Sequence, residues 1–358
     1  MSRNMTNANR LLFERLIRSA PDGLRENIAH QLSRWVESSD YDKEIIKYST
    51  VDASDLGAGC HGALVSNARL GKLWAILPGQ PVLSQLDNQI RGASLVDLNA
   101  GWMTLLGSQE WFLIKEDRYQ REQIVDLLGD REGAYSFEEI QGFYAGYHII
   151  DVSSVPRGSD HDDLLLRIAA ASELVGCTYK LAFDESIAPI LLELLDADVS
   201  ALFSSSIYRS ITASHWVHAY LELYRCIEYY YPVTYVEELA GALGISGHES
   251  LGKSIVQILN WKPHEEHALT RLLSKVDLTS LQVLATSFNA DESEGINSDS
   301  LSQQLAKIVY KTRNSIAHHR VGLKGLPNTD WNQAIRGLCC IVRELQKLYP
   351  EEKKSDVL

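Results

Sequence analysis

The chain has 358 residues, 45% hydrophobic and 23% charged, a globular composition with enough length for two separate cores. No run approaches the roughly 18–20 apolar residues needed to cross a bilayer, and the first residues lack the continuous apolar core and cleavage site of a secretory signal. The net charge of −13 excludes a protein that simply coats nucleic acid.

That charge is unevenly spread. From Ser205 onward lie 16 of the 34 basic and 17 of the 47 acidic residues, which leaves 18 basic against 30 acidic before it. The second part is near neutral and has room for a local basic groove. The five cysteines, Cys60, Cys177, Cys226, Cys339 and Cys340, are odd in number and lack paired zinc-ligand spacing. Together they point to a reducing, cytoplasmic setting.

Residues 1–204 read as a mixed α/β domain. Leu11, Leu12, Leu16 and Ile17 suggest a first helix ended by Pro21-Asp22-Gly23, and Leu24, Ile28, Leu32 and Trp35 recur at the spacing of a second. Strand-like runs follow at 72–77, 101–106, 110–115, 147–152 and 178–183, with helices at 118–129, 162–175 and 185–196. From about 206 the pattern is wholly helical: one helix to Pro232, shorter ones at 234–243, 251–260 and 264–276, then an acidic loop at 289–300. A helix over 302–320, capped by Ser300 or Ser302, and another from Trp331 to Tyr349 complete a bundle over 205–358. The expected class is therefore α+β, a mixed domain followed by a helical bundle.

Within the bundle, Arg313-Asn314-Ser315-Ile316-Ala317-His318 places an arginine, a polar residue and a histidine at short spacing. Arg25…His30 and Arg209…His215 satisfy the same loose pattern, so spacing alone does not select one. The hit at 313 has Asn after the arginine, lies late in a helical region, and is preceded by the aromatic segment Tyr220-Leu221-Glu222-Leu223-Tyr224-Arg225-Cys226-Ile227-Glu228-Tyr229-Tyr230. In these features residues 206–350 resemble the HEPN domains of antiphage-defence (abortive-infection) enzymes, a family of small helical ribonucleases.

Helical phase supports the choice. At about 100° per residue, Leu305, Val309, Thr312 and Ile316 form one apolar stripe, while Asn314 and His318 lie together on the opposite side with Arg313 beside them. His319 falls back toward the stripe, so His318 is expected exposed and His319 packed. On the aromatic helix, Trp216, Tyr220, Leu223, Tyr224 and Ile227 form the buried stripe, with Glu228 at its edge. A carboxylate there either reaches water or pairs with Arg313, whose guanidinium fork it would orient.

The resemblance implies a metal-independent endoribonuclease with Arg313, Asn314 and His318 as its catalytic residues and no cofactor. The RNA's own 2′-OH attacks the adjacent phosphate, giving a 2′,3′-cyclic phosphate and a 5′-OH end. An imidazole moves the protons, the arginine stabilises the extra negative charge, and Asn314 orients the imidazole or a phosphate oxygen. One motif supplies one histidine, and the family meets the need for two by dimerising, so a homodimer is expected. It further implies a regulated toxin acting on RNA such as tRNA, restrained or triggered through residues 1–204 by a protein or phage-derived signal. Family members controlled by modification of a tyrosine after the motif differ here, since His319 and Arg320 follow.

The competing reading is a HEPN bundle without catalysis, serving dimerisation or nucleotide or protein binding, with any activity in the first domain. Cys60-His61, Asp160-His161-Asp162-Asp163 and Asp184-Glu185 are the candidates there. Adjacent residues rarely face each other as nucleophile and base, and the acidic cluster before a helical run fits a helix N-terminus. His215, His218, Glu222 and Arg225 make a polar ridge better read as surface than as a metal site.

Overall fold

A computed structural model describes residues 4–57, 60–79, 92–155, 161–196, 201–244, 264–288, 298–318 and 330–349. It divides into two compact units, Met1–Arg157 and Gly158–Leu358, and its class is α+β.

The first unit begins with α1 (Met5–Ser19), whose N-cap Asn4 accepts a hydrogen bond from the Thr6 amide. There follow β1 (Arg34–Val36), α2 (Asp40–Tyr48), β2 (Ser49–Gly57), β3 (Cys60–Asn67), β4 (Lys72–Pro78), β5 (Ser94–Val96), α3 (Ala100–Gly107), α4 (Arg118–Leu128), β6 (Gly133–Tyr135), α5 (Phe137–Gln141) and β7 (Tyr147–Asp151). Strands β2-β3-β4-β7-β5 form an antiparallel sheet, and β1 pairs with β6 in parallel. Ala63, Val65, Trp74, Ile76 and Ile149 point from one face of the sheet into a core shared with Leu12, Leu16 and Trp102. Trp74 and Trp102 meet edge to face at 4.9 Å.

Two polar contacts fix the helices around that core. Arg15 is buried and donates through Nη1 to the Gly107 carbonyl at 2.6 Å and through Nη2 to the Phe112 carbonyl, so its charge sits at the C-terminal end of α3. Asp42 closes the capping box of α2 with Ser39 and also accepts from the Gly101 amide at 3.0 Å. Gly101 permits this approach, because a Cβ there would stand 2.7 Å from the Asp42 Cα.

Several segments differ from their sequence expectation. Residues 24–35 contain a 3-10 turn at Arg25–Asn27 and strand β1 instead of a helix. GWMTLL is helix α3 and not a strand: Asn99 caps it and all eight of its residues are buried, so its apolar run carries no helical period. Segment 110–115 contributes one isolated bridge, Ile114 to Tyr144, and 178–183 forms no strand. Strands β2 and β3 were not anticipated. In β2, exposed polar positions break the apolar signal.

All regular secondary structure among the second unit's described residues is helical: α6 (His161–Gly176), α7 (Ile187–Asp196), α8 (Ala201–Ile211), α9 (Trp216–Glu228), α10 (Tyr231–Leu243), α11 (Glu265–Leu273), α12 (Leu278–Ser287), α13 (Ser298–Ala317) and α14 (Trp331–Leu348). The break between units therefore falls after Arg157, not at the change of pattern near 204. Helix α6 packs on α8, α8 on α9, and α7 on α14, so helices 161–211 bury their apolar faces in the bundle. Pro232 does not extend α9's end but starts α10 at its first turn, where a missing amide costs nothing. Helix α13 already runs at Ser298, inside the stretch expected as an acidic loop, which places Ser300 and Ser302 within the helix. The helix expected at 251–260, most of that loop and the C-terminal tail lie outside the described residues.

Where α12 crosses α14, Gly337 lies against Leu284: a Cβ would be 2.8 Å from the Leu284 Cα. Gly337→Ala should cost about 1–3 kcal/mol by overpacking, read as a lower urea midpoint with an unchanged slope. Among the described residues no helix is long and apolar enough to cross a membrane.

Candidate functional site

The candidate site is built where α9, α11 and α13 meet. Leu305, Val309 and Thr312 are buried and Ile316 is partly so, which fixes the rotation of α13 as its apolar stripe requires. Arg313 and Asn314 then lie at the margin, and His318 stands exposed just past the helix end, its backbone amide donating to the Asn314 carbonyl at 3.1 Å. His319 is outside the described residues. On α9, Tyr220, Leu223, Tyr224 and Ile227 are buried while Trp216 is partly covered, and Glu228 ends the helix at its edge.

Arg313 is held from three sides. Nη2 donates to Glu228 Oε1 at 3.0 Å, Nη1 donates to Asn314 Oδ1 at 2.9 Å, and Glu265 Oε2 lies 3.7 Å from Nη1. The guanidinium also sits 5.8 Å from the centre of the Tyr224 ring. Tyr224 in turn shares a 2.6 Å hydrogen bond with Tyr231, and Tyr220 donates to the Val309 carbonyl at 3.3 Å, so the wall behind Arg313 is hydrogen-bonded and buried. The side chains of Arg313, Glu228 and Glu265 keep 23%, 27% and 39% of their surface open, so a solute can reach the pair.

The electrostatics follow from that placement. Burial outweighs the pull of Arg313 and raises the Glu228 carboxyl above its ordinary range, and Glu265 adds to the rise. Partial burial works against the Arg313 charge, yet the fields of Glu228 and Glu265 prevail and raise its pKa. Burial also raises the Tyr224 and Tyr231 hydroxyls, so both stay protonated hydrogen-bonding groups at neutral pH.

Arg313, Asn314 and Glu228 thus come into direct contact, with His318 one turn beyond Asn314. The sequence places Tyr224 on the buried stripe of α9, but neither its bond to Tyr231 nor the approach of Glu265 carries a local signal. Glu265 is the first residue of α11, and acidic residues in a first turn are read as helix signals, not as partners of a distant arginine. The other Arg/His spacings do not form such a unit. Arg25 donates to the Ala20 carbonyl and pairs with Asp22 at 2.9 Å, while Arg209 is in the last turn of α8 and His215 caps α9. Arg225 pairs with Glu222 at 2.5 Å on the polar ridge, and among the described residues no cluster of His, Cys, Asp and Glu could hold a metal ion. Cys60 and His61 are consecutive residues of strand β3. Asp163 is buried on α6, and Asp184 and Glu185 are exposed before α7. No known family model, curated protein or solved structure matches the chain.

Proposed function

We propose that this chain is a metal-independent endoribonuclease of the HEPN type, with Arg313, Asn314 and His318 as catalytic residues and Glu228 as the group that positions Arg313. The observation that carries this reading is the Glu228–Arg313–Asn314 chain of hydrogen bonds on the helix whose exposed end bears His318. A guanidinium held by a carboxylate presents its remaining donors in a fixed direction, which suits a phosphate whose charge grows during reaction. The 2′-oxygen attacks phosphorus, the bond to the 5′-oxygen breaks, one base accepts the 2′-OH proton and one acid protonates the leaving oxygen. His318 takes one of these roles, and the His318 of a second copy takes the other in a homodimer. A regulated toxin in antiphage defence, gated through the first unit, is the biological role that fits the resemblance.

The direct test incubates EDTA-treated protein with total RNA and analyses the new ends. Cyclic 2′,3′-phosphate and 5′-OH ends are expected; 3′-OH ends would overturn the mechanism. A second reading, a non-catalytic binding bundle, is favoured by one fact: two carboxylates already neutralise Arg313. They are not equivalent. Glu265 is the more distant and more open, so it is the one a phosphate would displace. Glu265→Gln should therefore speed cleavage about two- to fivefold, the worth of an exposed ion pair, chiefly by lowering KM. Slower cleavage with weaker RNA binding would show that Glu265 does not compete with the phosphate, and RNA binding with no cleavage by the wild type would favour the second reading.

A further inference from the structure

Arg313 shares its charge between Glu228 and Glu265, and the whole chain carries −13. Neither fact helps the site to gather a polyanion, so the cations that do so must lie beside it. The sequence around α13 supplies them. From Ser300 to Thr329 it has five basic residues, Lys307, Lys311, Arg313, Arg320 and Lys324, and no acidic one. Lys307 and Lys311 stand exposed on α13, and neither makes an ion pair or a hydrogen bond among the described residues.

Their place on the helix gives them a use. At about 100° and 1.5 Å per residue, Lys307, Lys311, Asn314 and His318 fall within an arc of about 60° and span about 16 Å. That arc lies opposite the buried Leu305, Val309 and Thr312. His318 keeps the phase past the helix end through its amide bond to the Asn314 carbonyl at 3.1 Å. Asn314 ties the stripe to the site, since its Oδ1 accepts from Arg313 Nη1 at 2.9 Å. The stripe therefore runs from two unpaired lysines to the proposed proton-transferring histidine, with no acidic residue in it.

We propose that this outer face of α13 holds the sugar–phosphate backbone of an RNA strand, with phosphates on Lys307 and Lys311 and the scissile one at Arg313 and His318. The inference rests on the ribonuclease reading for the chemistry at its end, and on charge and helical phase for the binding. Lysine is a flexible point charge, and a phosphate contact carries no base information. This surface thus holds RNA in place for cleavage without reading its sequence.

The test is fluorescence anisotropy of the full chain with single-stranded 2′-O-methyl oligonucleotides in EDTA. The methyl group removes the attacking hydroxyl, so binding is read without cleavage. Lys307→Gln combined with Lys311→Gln should weaken binding roughly 5- to 25-fold at low salt, the worth of two exposed ion pairs. It should also flatten the dependence of log Kd on log salt by about 0.7 per lysine. Lys180→Gln combined with Lys347→Gln removes the same charge from exposed positions elsewhere in the second unit and should change binding less than about twofold. Oligouridine and oligoadenosine should bind within about threefold of each other. An unchanged salt slope in the first variant, an equal loss in the second, a preference of about tenfold for one base, or no binding by the wild type at high micromolar concentration would each overturn the proposal. Unmodified RNA then separates the two readings. The lysines touch no reacting atom, so their loss should raise KM and leave kcat unchanged. Binding through the lysines with no cleavage by the wild type sinks the ribonuclease and keeps the track, whereas cleavage with an unaltered KM in the lysine variant sinks the track and keeps the ribonuclease.

Discussion

Purified His318→Ala protein should cleave RNA about 10²–10⁴-fold more slowly than wild type, the usual worth of a proton-transferring side chain, with its thermal unfolding unchanged. The second half of that expectation follows from exposure: His318 stands beyond the end of α13 and is not part of the bundle core. Arg313 behaves differently. It links α13 to Glu228 on α9 and Glu265 on α11, so alanine there removes the charge proposed to stabilise the transition state and also leaves two carboxylates without their shared cation. Cleavage should fall about 10²–10³-fold, with a loss of stability of about 1 kcal/mol for a partly exposed pair. Arg313→Lys separates the two effects. It keeps the charge and most of the stability but loses the planar fork that can hold Glu228, Asn314 and a phosphate together, so activity should stay low. Wild-type rates in His318→Ala would sink the catalytic assignment outright, and wild-type rates in Arg313→Lys would show that the fork is not used.

How much of this site was legible beforehand depends on how local the signal is. The phase of α13 needs only the spacing of Leu305, Val309 and Thr312, and it placed His318 outward, where the structure has it exposed, whereas Asn314 is half-buried at the margin beside Arg313. Glu228 opposite Arg313 was legible as one of two alternatives, because a carboxylate at the edge of an apolar stripe needs either water or a cation; the 3.0 Å bond selects the cation. Glu265 was not legible, since its approach depends on how α11 docks and no pattern within 264–276 encodes that. The same limit explains α3, whose eight buried residues erase the period that distinguishes a helix from a strand. It explains the unit boundary too. Helices at 161–196 were recognisable one by one, but that α6 packs on α8 inside the bundle and α7 on the distant α14 is written in no local pattern.

The first unit carries the other large expected effect, at His148 on β7. The residue pairs with Leu77 of β4 and shares its sheet face with Ala75 and Ile150, all of them buried. Neither ring nitrogen makes a well-formed hydrogen bond among the described residues, and the neighbouring Gly79 backbone offsets burial only in part. Burial therefore favours the neutral ring and pushes its pKa down to about 4, against 6.5 when unfolded. The sign is set by which state takes the proton first. Between pH 6.5 and about 4 the unfolded chain is protonated at this position and the folded chain is not, so stability falls as pH falls through that window. At 1.36 kcal/mol per pKa unit, the loss amounts to about 3 kcal/mol by pH 4, and above pH 6.5 this residue adds no pH dependence. His148→Leu should flatten the dependence whatever it does to absolute stability, so the comparison is of slopes. Hydrogen exchange of the β4 and β7 peptides, corrected for the intrinsic pH dependence of exchange, reports the unit by itself. Parallel slopes for the two proteins between pH 6.5 and 4.5 would mean that the folded state protonates His148 as readily as the unfolded one, and the buried neutral imidazole would have to be abandoned.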